Sequence, residues 1–229
     1  MNSDLDGLFQ ELDNPNKVAR KRSLEKILLC LKEDSSRDHH KVWESHHKAL
    51  YKRLQDESER CREISAEIVL ELLLLVRTAD NQPAVDPKLF FLIPILEQRL
   101  AQPDTHEPSE EVRLTFFKVL EQVLLQDTSS ESLRACLDDI SRICISGLDD
   151  GFVEVKVRAC ACLRAWSALD FFHLSSSHKL LTALVKNFGH QQKRVRLAAV
   201  RAIGKCNKSK RERGRSKSVT LFLSFQVRC

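Results

Sequence analysis

The 229-residue chain carries 37 Lys and Arg against 32 Asp and Glu, a formal net charge of +5, and is 42% hydrophobic but only 6% aromatic. Six Gly, six Pro and an abundance of Leu, Glu, Lys and Arg favour helices over sheets, which draw on β-branched and aromatic residues. No run of eighteen apolar residues is present, which argues against a membrane-spanning helix, and the acidic opening MNSDLDGLFQEL has no basic-then-apolar leader pattern, so the expected compartment is the cytosol.

In chain order, hydrophobic periodicity and breakers predict five helix pairs: 3–13 with 17–31, 38–55 with 58–76, 86–101 with 108–126, 129–147 with 152–168, and 174–189 with 191–206. The stretches LDNPN, LQDESE, AQPDTHEPSE, LDDGF and FGHQQ supply the turns within the pairs. Pro94 falls inside the first helix of the third pair, where it should kink or shorten that helix.

The second helix of every pair opens with the same device. Arg20, Arg62, Arg113, Arg158 and Arg196 each follow a small or apolar residue and precede an apolar face at three, four and seven residues on. For Arg196 those positions are Ala199, Val200 and Ile203; for Arg113 they are Phe116, Phe117 and Leu120. The arginines at 20, 62, 113, 158 and 196 are 42, 51, 45 and 38 residues apart, the period of HEAT or armadillo helix pairs. The fold class expected is all-α, an α-solenoid of about five HEAT-type helix pairs over residues 1–204.

Within such a stack the positions at +3, +4 and +7 should fill the seam between neighbouring repeats. The arginine stem should cover apolar surface while its guanidinium reaches acids or carbonyls near the turn. Glu110 is a candidate partner for Arg113, and Asp149 and Asp150 for Arg158. This reading makes the arginines structural.

Residues 205–229 break the pattern. They hold eight Lys or Arg and one Glu, a local charge of +7, which leaves residues 1–204 at −2. KCNKSKRERGRSKS reads as a basic, disordered tail, SVTLFLSFQV as a short apolar segment after it, and the whole as a truncated or alternatively spliced end. KSKRERGRSK could draw nucleic acid or act as a nuclear address, but it lacks interleaved aromatics for base stacking, so nucleic acid is not the expected partner.

No constellation carries chemistry. His39, His40, His46 and His47 in HHKVWESHH sit at spacings that build no zinc set on one helix face, and a solvated face is expected. The Ser residues between His173 and His178 suit capping, and Asp138, Asp139, Asp149 and Asp150 suit helix ends. The eight cysteines lack any CxxC pair and read as small hydrophobes in a reducing compartment. No catalytic, cofactor-binding or metal residue is assigned, no cofactor or small-molecule substrate is implied, and an enzyme is not expected.

One segment, residues 147–204, resembles a particular family. Its carriers are the Phe152 turn, Val157–Arg158, the Cys160-Ala161-Cys162 run, Phe172-His173, and Gly189-His190-Gln191 leading into Lys193-Arg194-Val195-Arg196-Leu197-Ala198-Ala199. They resemble the N-terminal repeats of the HEAT-repeat dynein axonemal assembly factors, the fifth of that series; residues 1–146 share only the repeat plan. The family's members are longer, and the likeness stops after Gly204. The resemblance implies a cytoplasmic, non-enzymatic scaffold for pre-assembly of dynein arms of motile cilia, with axonemal dynein chains and chaperones or co-chaperones as partners. The alternatives are a generic HEAT-repeat protein-binding adaptor, or a nucleic-acid or nuclear-targeted module acting through the tail.

Overall fold

The computed structural model describes residues 2–34, 38–78, 88–126, 130–169 and 178–212. Eleven α-helices occupy them: α1 Asn2–Gln10, α2 Lys17–Glu33, α3 His39–Arg53, α4 Glu59–Thr78, α5 Leu89–Ala101, α6 Glu110–Leu125, α7 Ser130–Ala135, α8 Leu137–Asp149, α9 Val153–Trp166, α10 His178–Lys186 and α11 Lys193–Glu212. No strand occurs among the described residues. The expected all-α helix-pair series is what forms, with α1/α2, α3/α4, α5/α6, α8/α9 and α10/α11 as its pairs.

The differences lie at the ends of elements. The expected helix 129–147 is broken at Cys136 into α7 and α8. Short 3₁₀ turns, Glu11–Asp13 and Asn187–Gly189, finish the first helices of the first and last pairs. Pro94 does not end α5, which runs on to Ala101. Both Pro94 and Phe90, whose carbonyl loses its usual i+4 donor, lie exposed on the solvent side, where water can meet that carbonyl. At the other end of the chain α11 continues through Gly204 to Glu212, past the expected boundary of the tail. Residues 213–229, with most of the predicted tail, and Phe172 to Ser177 lie outside the described residues.

Two compact units divide the chain, Met1–Ile140 and Ser141–Cys229. In the first, α4 packs against α2, α3 and α6, so that second helices form a row, α2–α4–α6, backed by first helices. Its core holds Leu24, Ile27, Trp43, Leu50, Ile64, Val69, Leu92, Phe116 and Leu120, all fully buried. In the second, α9 packs against α11 and α10 against α11. Asn187 ties that unit internally: its buried Nδ2 donates to the carbonyls of Leu148 at 3.0 Å and Ala183 at 2.9 Å.

The turn before each second helix is closed by a side chain accepting from a backbone N–H two residues on. Asn14 does this for Asn16, Asp56 for Ser58, Glu107 for Ser109 and His190 for Gln192. Each of these residues stands six before one of the arginines. The turn and the arginine are therefore parts of one repeated structure.

Candidate functional site

Four of the five arginines, at 20, 62, 113 and 196, reach back to the turns. Arg20 Nη1 donates to the carbonyls of Asn14 and Pro15, Arg62 Nη1 to those of Asp56 and Glu57, Arg113 Nη1 to those of Glu107 and Pro108, and Arg196 Nη1 to those of His190 and Gln191. All eight bonds lie between 2.8 and 3.1 Å. These carbonyls face away from any helical ladder, and the guanidinium satisfies them while its stem lies over the seam.

Arg20 and Arg62 do more. Arg20 grips Asp56 of the following turn through Nε–Oδ2 at 2.8 Å and Nη2–Oδ1 at 2.9 Å. Arg62 grips Glu107 of the turn after that, through Nε–Oε2 at 2.6 Å and Nη2–Oε1 at 2.8 Å. Each acid also takes a second arginine from its own first helix, Arg53 for Asp56 and Arg99 for Glu107. Burial alone would raise the carboxyl pKa of Asp56, but Arg20, the Ser58 N–H and Arg53 hold it below the usual range. Glu107 likewise overcomes its burial through Arg62, Arg99 and the Ser109 N–H and titrates lower than an ordinary glutamate. Sequence reasoning anticipated the arginines and their turn carbonyls, but not Asp56 and Glu107 as acids reached from the preceding repeat. Of the acids it suggested, Asp150 caps its own turn through the Phe152 N–H at 2.7 Å, and Asp149 lies 3.7 Å from Lys186.

The histidine cluster is not the solvated face expected. His47 is buried, donates from Nδ1 to the Trp43 carbonyl at 3.0 Å, and forms a three-ring cluster with Trp43 and Tyr51. His46 stacks on Phe9 with ring centroids 3.9 Å apart and meets Asp6 Oδ1 at 2.9 Å, pinning α1 to α3. Helical rotation explains the split, since neighbouring positions on α3 point about 100° apart. Among the described residues no group of three or more His, Cys, Asp or Glu is placed to hold a metal ion. The described cysteines are free and, apart from Cys30, buried. Burial pushes the Cys160 and Cys206 thiols up to about 12.

What the molecule offers a partner is surface. The outward side of α4 carries Glu59, Glu63, Glu67 and Glu71 at four-residue spacing, the first exposed and the others half-buried. On α5, Phe90 and Phe91 stand 63% and 58% exposed, an aromatic pair that periodicity alone does not reveal. On α11, Leu197 and Val200 are exposed, although Val200 holds a seam position.

Stacked helix pairs with a ladder of turn-gripping arginines define a helical-repeat scaffold of the solenoid class. The family described as dynein axonemal assembly factor 5-like, TPR repeats, matches residues 11–224, and the chain belongs to it. Its relatives include dynein axonemal assembly factor 5 of Xenopus laevis, 31% identical over 69% of this chain and 18% of the relative. The Mus musculus protein of that name is 30% identical over 87% of this chain and 24% of its own. The chain thus spans about a fifth to a quarter of the length of these relatives. Among solved structures, an engineered protein matches with a TM-score of 0.64 and 15% identity, covering 92% of this chain and 85% of its own. A designed armadillo repeat protein matches with a TM-score of 0.61 and 19% identity, covering 91% and 86%. These two share the fold. The 38- to 51-residue spacing of the arginines exceeds the 34 residues of a TPR unit and sits with the armadillo and HEAT lengths.

Proposed function

We infer that this chain is a non-enzymatic, cytoplasmic scaffold whose repeat surface binds protein partners during the pre-assembly of axonemal dynein arms. The observation that carries the reading is the family match over residues 11–224. The structure suits the role. A row of second helices held in register by buried ion pairs presents a rigid, extended surface of the kind repeat proteins use to bind other proteins. No described helix is long and apolar enough to cross a membrane. The organisation proposed is a repeat body over residues 1–204 followed by a basic tail, with α11 running eight residues into that tail. Axonemal dynein chains and chaperones are the proposed partners.

The test is affinity capture with the full chain as bait, in lysate of cells building motile cilia, against a control chain with scrambled repeats. Enrichment of dynein heavy or intermediate chains and chaperones over the control is the expected result. Enrichment of neither overturns the assembly reading. Binding to nucleic acid that falls steeply with salt and is lost on deleting residues 205–229 would replace it with a tail-driven function.

A further inference from the structure

Three positions on each second helix, one, four and eight residues after its arginine, lie along one side of the helix at about 100° per residue. In the first four repeats the middle position holds Leu24, Ala66, Phe117 and Cys162, each at most 1% exposed, and none of the flanking positions is exposed. In α11 all three are exposed: Leu197 at 42%, Val200 at 52%, and Gly204, where an added Cβ would meet nothing within 4 Å. The opposite side of α11 is buried through Val195, Ala199 and Ala202, where the helix packs on α9. α11 is therefore seated on its own unit and turns to solvent the side that is covered in α2, α4 and α9, each of which has the next second helix packed against it. That side is also charged in one sense. Arg194, Arg201 and Lys205 form one edge of it and Lys193 stands at its start, all exposed, and residues 191–206 contain no Asp or Glu. Arg194 meets Glu154 at 3.1 Å, whereas Lys193, Arg201 and Lys205 make no ion pair among the described residues.

We propose that this side of α11 docks an amphipathic helix of a partner protein, one whose apolar stripe is bordered by acidic residues. A helix is the element that packs alongside α2, α4 and α9, so the same geometry serves for the fifth repeat. A helix laid along α11 covers Leu197 and Val200 with its apolar stripe, and Gly204 lets its backbone approach closely. Charge complementarity fixes the rest of its chemistry. Acids along one edge of the incoming helix meet Arg201 and Lys205, which select against a neutral or basic helix of the same shape. Nucleic acid fits less well. A phosphate backbone would neutralise the cations but leave Leu197 and Val200 uncovered, and residues 191–206 hold no aromatic side chain on which a base could stack. The proposal narrows the protein-binding reading above to one face and rests on it only in taking the partner to be a protein. The capture experiment can succeed with this face unused, and the measurement below can succeed with a client other than dynein, so the two readings fail separately.

The test titrates the full chain into a fluorescein-labelled helical peptide of about 18 residues, with a leucine stripe and a glutamate edge, and reads anisotropy at physiological salt. The same peptide with lysine in place of glutamate, and a duplex DNA of arbitrary sequence, are titrated beside it. The glutamate peptide should bind at least about tenfold more tightly than the lysine peptide. Leu197→Asp with Val200→Asp should weaken it by about tenfold or more, and Arg201→Glu with Lys205→Glu should reverse the preference between the two peptides. Leu29→Asp, at an exposed apolar position of α2, should change nothing. The substituted side chains are exposed, and an unchanged urea midpoint for each variant shows that the fold is kept. Equal binding of the two peptides, tighter binding of the DNA, or an equal loss in Leu29→Asp overturns the proposal. So does self-association of the peptide-free chain in sedimentation that Leu197→Asp with Val200→Asp abolishes, because a second copy would then be the occupant.

Discussion

Arg62 and Glu107 are 45 residues apart in the chain and meet through two parallel bonds of 2.6 and 2.8 Å, both side chains buried. The same guanidinium holds the Asp56 and Glu57 carbonyls, and the same carboxylate holds Arg99 and the Ser109 N–H. One ion pair therefore fixes two turns and two helices of neighbouring repeats. Removing one partner leaves the others charged and buried. Glu107→Gln is expected to cost about 3–5 kcal/mol, measured by urea unfolding. Replacing the pair together, Arg62→Met with Glu107→Leu, should cost less than the two single changes added, because neither charge is then left without the other. A loss below about 1 kcal/mol for Glu107→Gln would show that the pair is incidental.

The depressed carboxyls of Asp56 and Glu107 set the sign of the acid response. Unfolded, they titrate near about 3.9 and 4.3, and folded they titrate lower, so the folded state binds fewer protons in that range. Their stabilisation is complete above the unfolded values and is lost as pH falls through the folded ones. The urea midpoint should hold between pH 7 and about 5 and drop below that. In Asp56→Asn with Glu107→Gln the acid drop should shrink. An unchanged drop would place the acid sensitivity in other groups.

Much of this architecture is legible in the sequence because one signal repeats five times. An arginine followed by apolar residues at +3, +4 and +7 locates the second helices, and their seam positions are buried in every case but Val200. Asp56 and Glu107 are harder to read. Their partners lie 36 and 45 residues away, and nothing local distinguishes them from ordinary turn acids. The analogous turn positions Phe152 and His190 carry no acid, so the sequence pattern does not repeat there. Phe90 and Phe91 are hidden in the sequence for a different reason. An apolar run such as LFFLIPIL predicts burial all round, and only packing decides which two residues face solvent.

The two adjacent histidines of α3 should respond very differently to truncation. His47→Ala removes a buried ring packed against both Trp43 and Tyr51, together with the Nδ1 bond to the Trp43 carbonyl, a loss of about 2–3 kcal/mol. His46→Ala removes a stack on Phe9 and a pair with the exposed Asp6, a loss of about 1 kcal/mol or less. Thermal unfolding of the two variants side by side checks this. Equal losses would mean that His47 is not the packed member.

Thiol chemistry gives an independent measure of the second unit's packing. The Cys160 thiol, pushed up to about 12 by burial, is ionised in roughly one molecule in ten thousand at pH 8, and the thiolate is the reactive form. Cys144 is pushed up still further by complete burial. Both should resist iodoacetamide in native protein while the half-buried Cys30 of the first unit is modified, and both should react once urea unfolds the chain. Peptide-level mass spectrometry across a urea series reads all three sites in one experiment. If Cys160 is modified alongside Cys30 before the unfolding transition, α9 opens locally, and the seam residues beside it are less tightly held than their burial states.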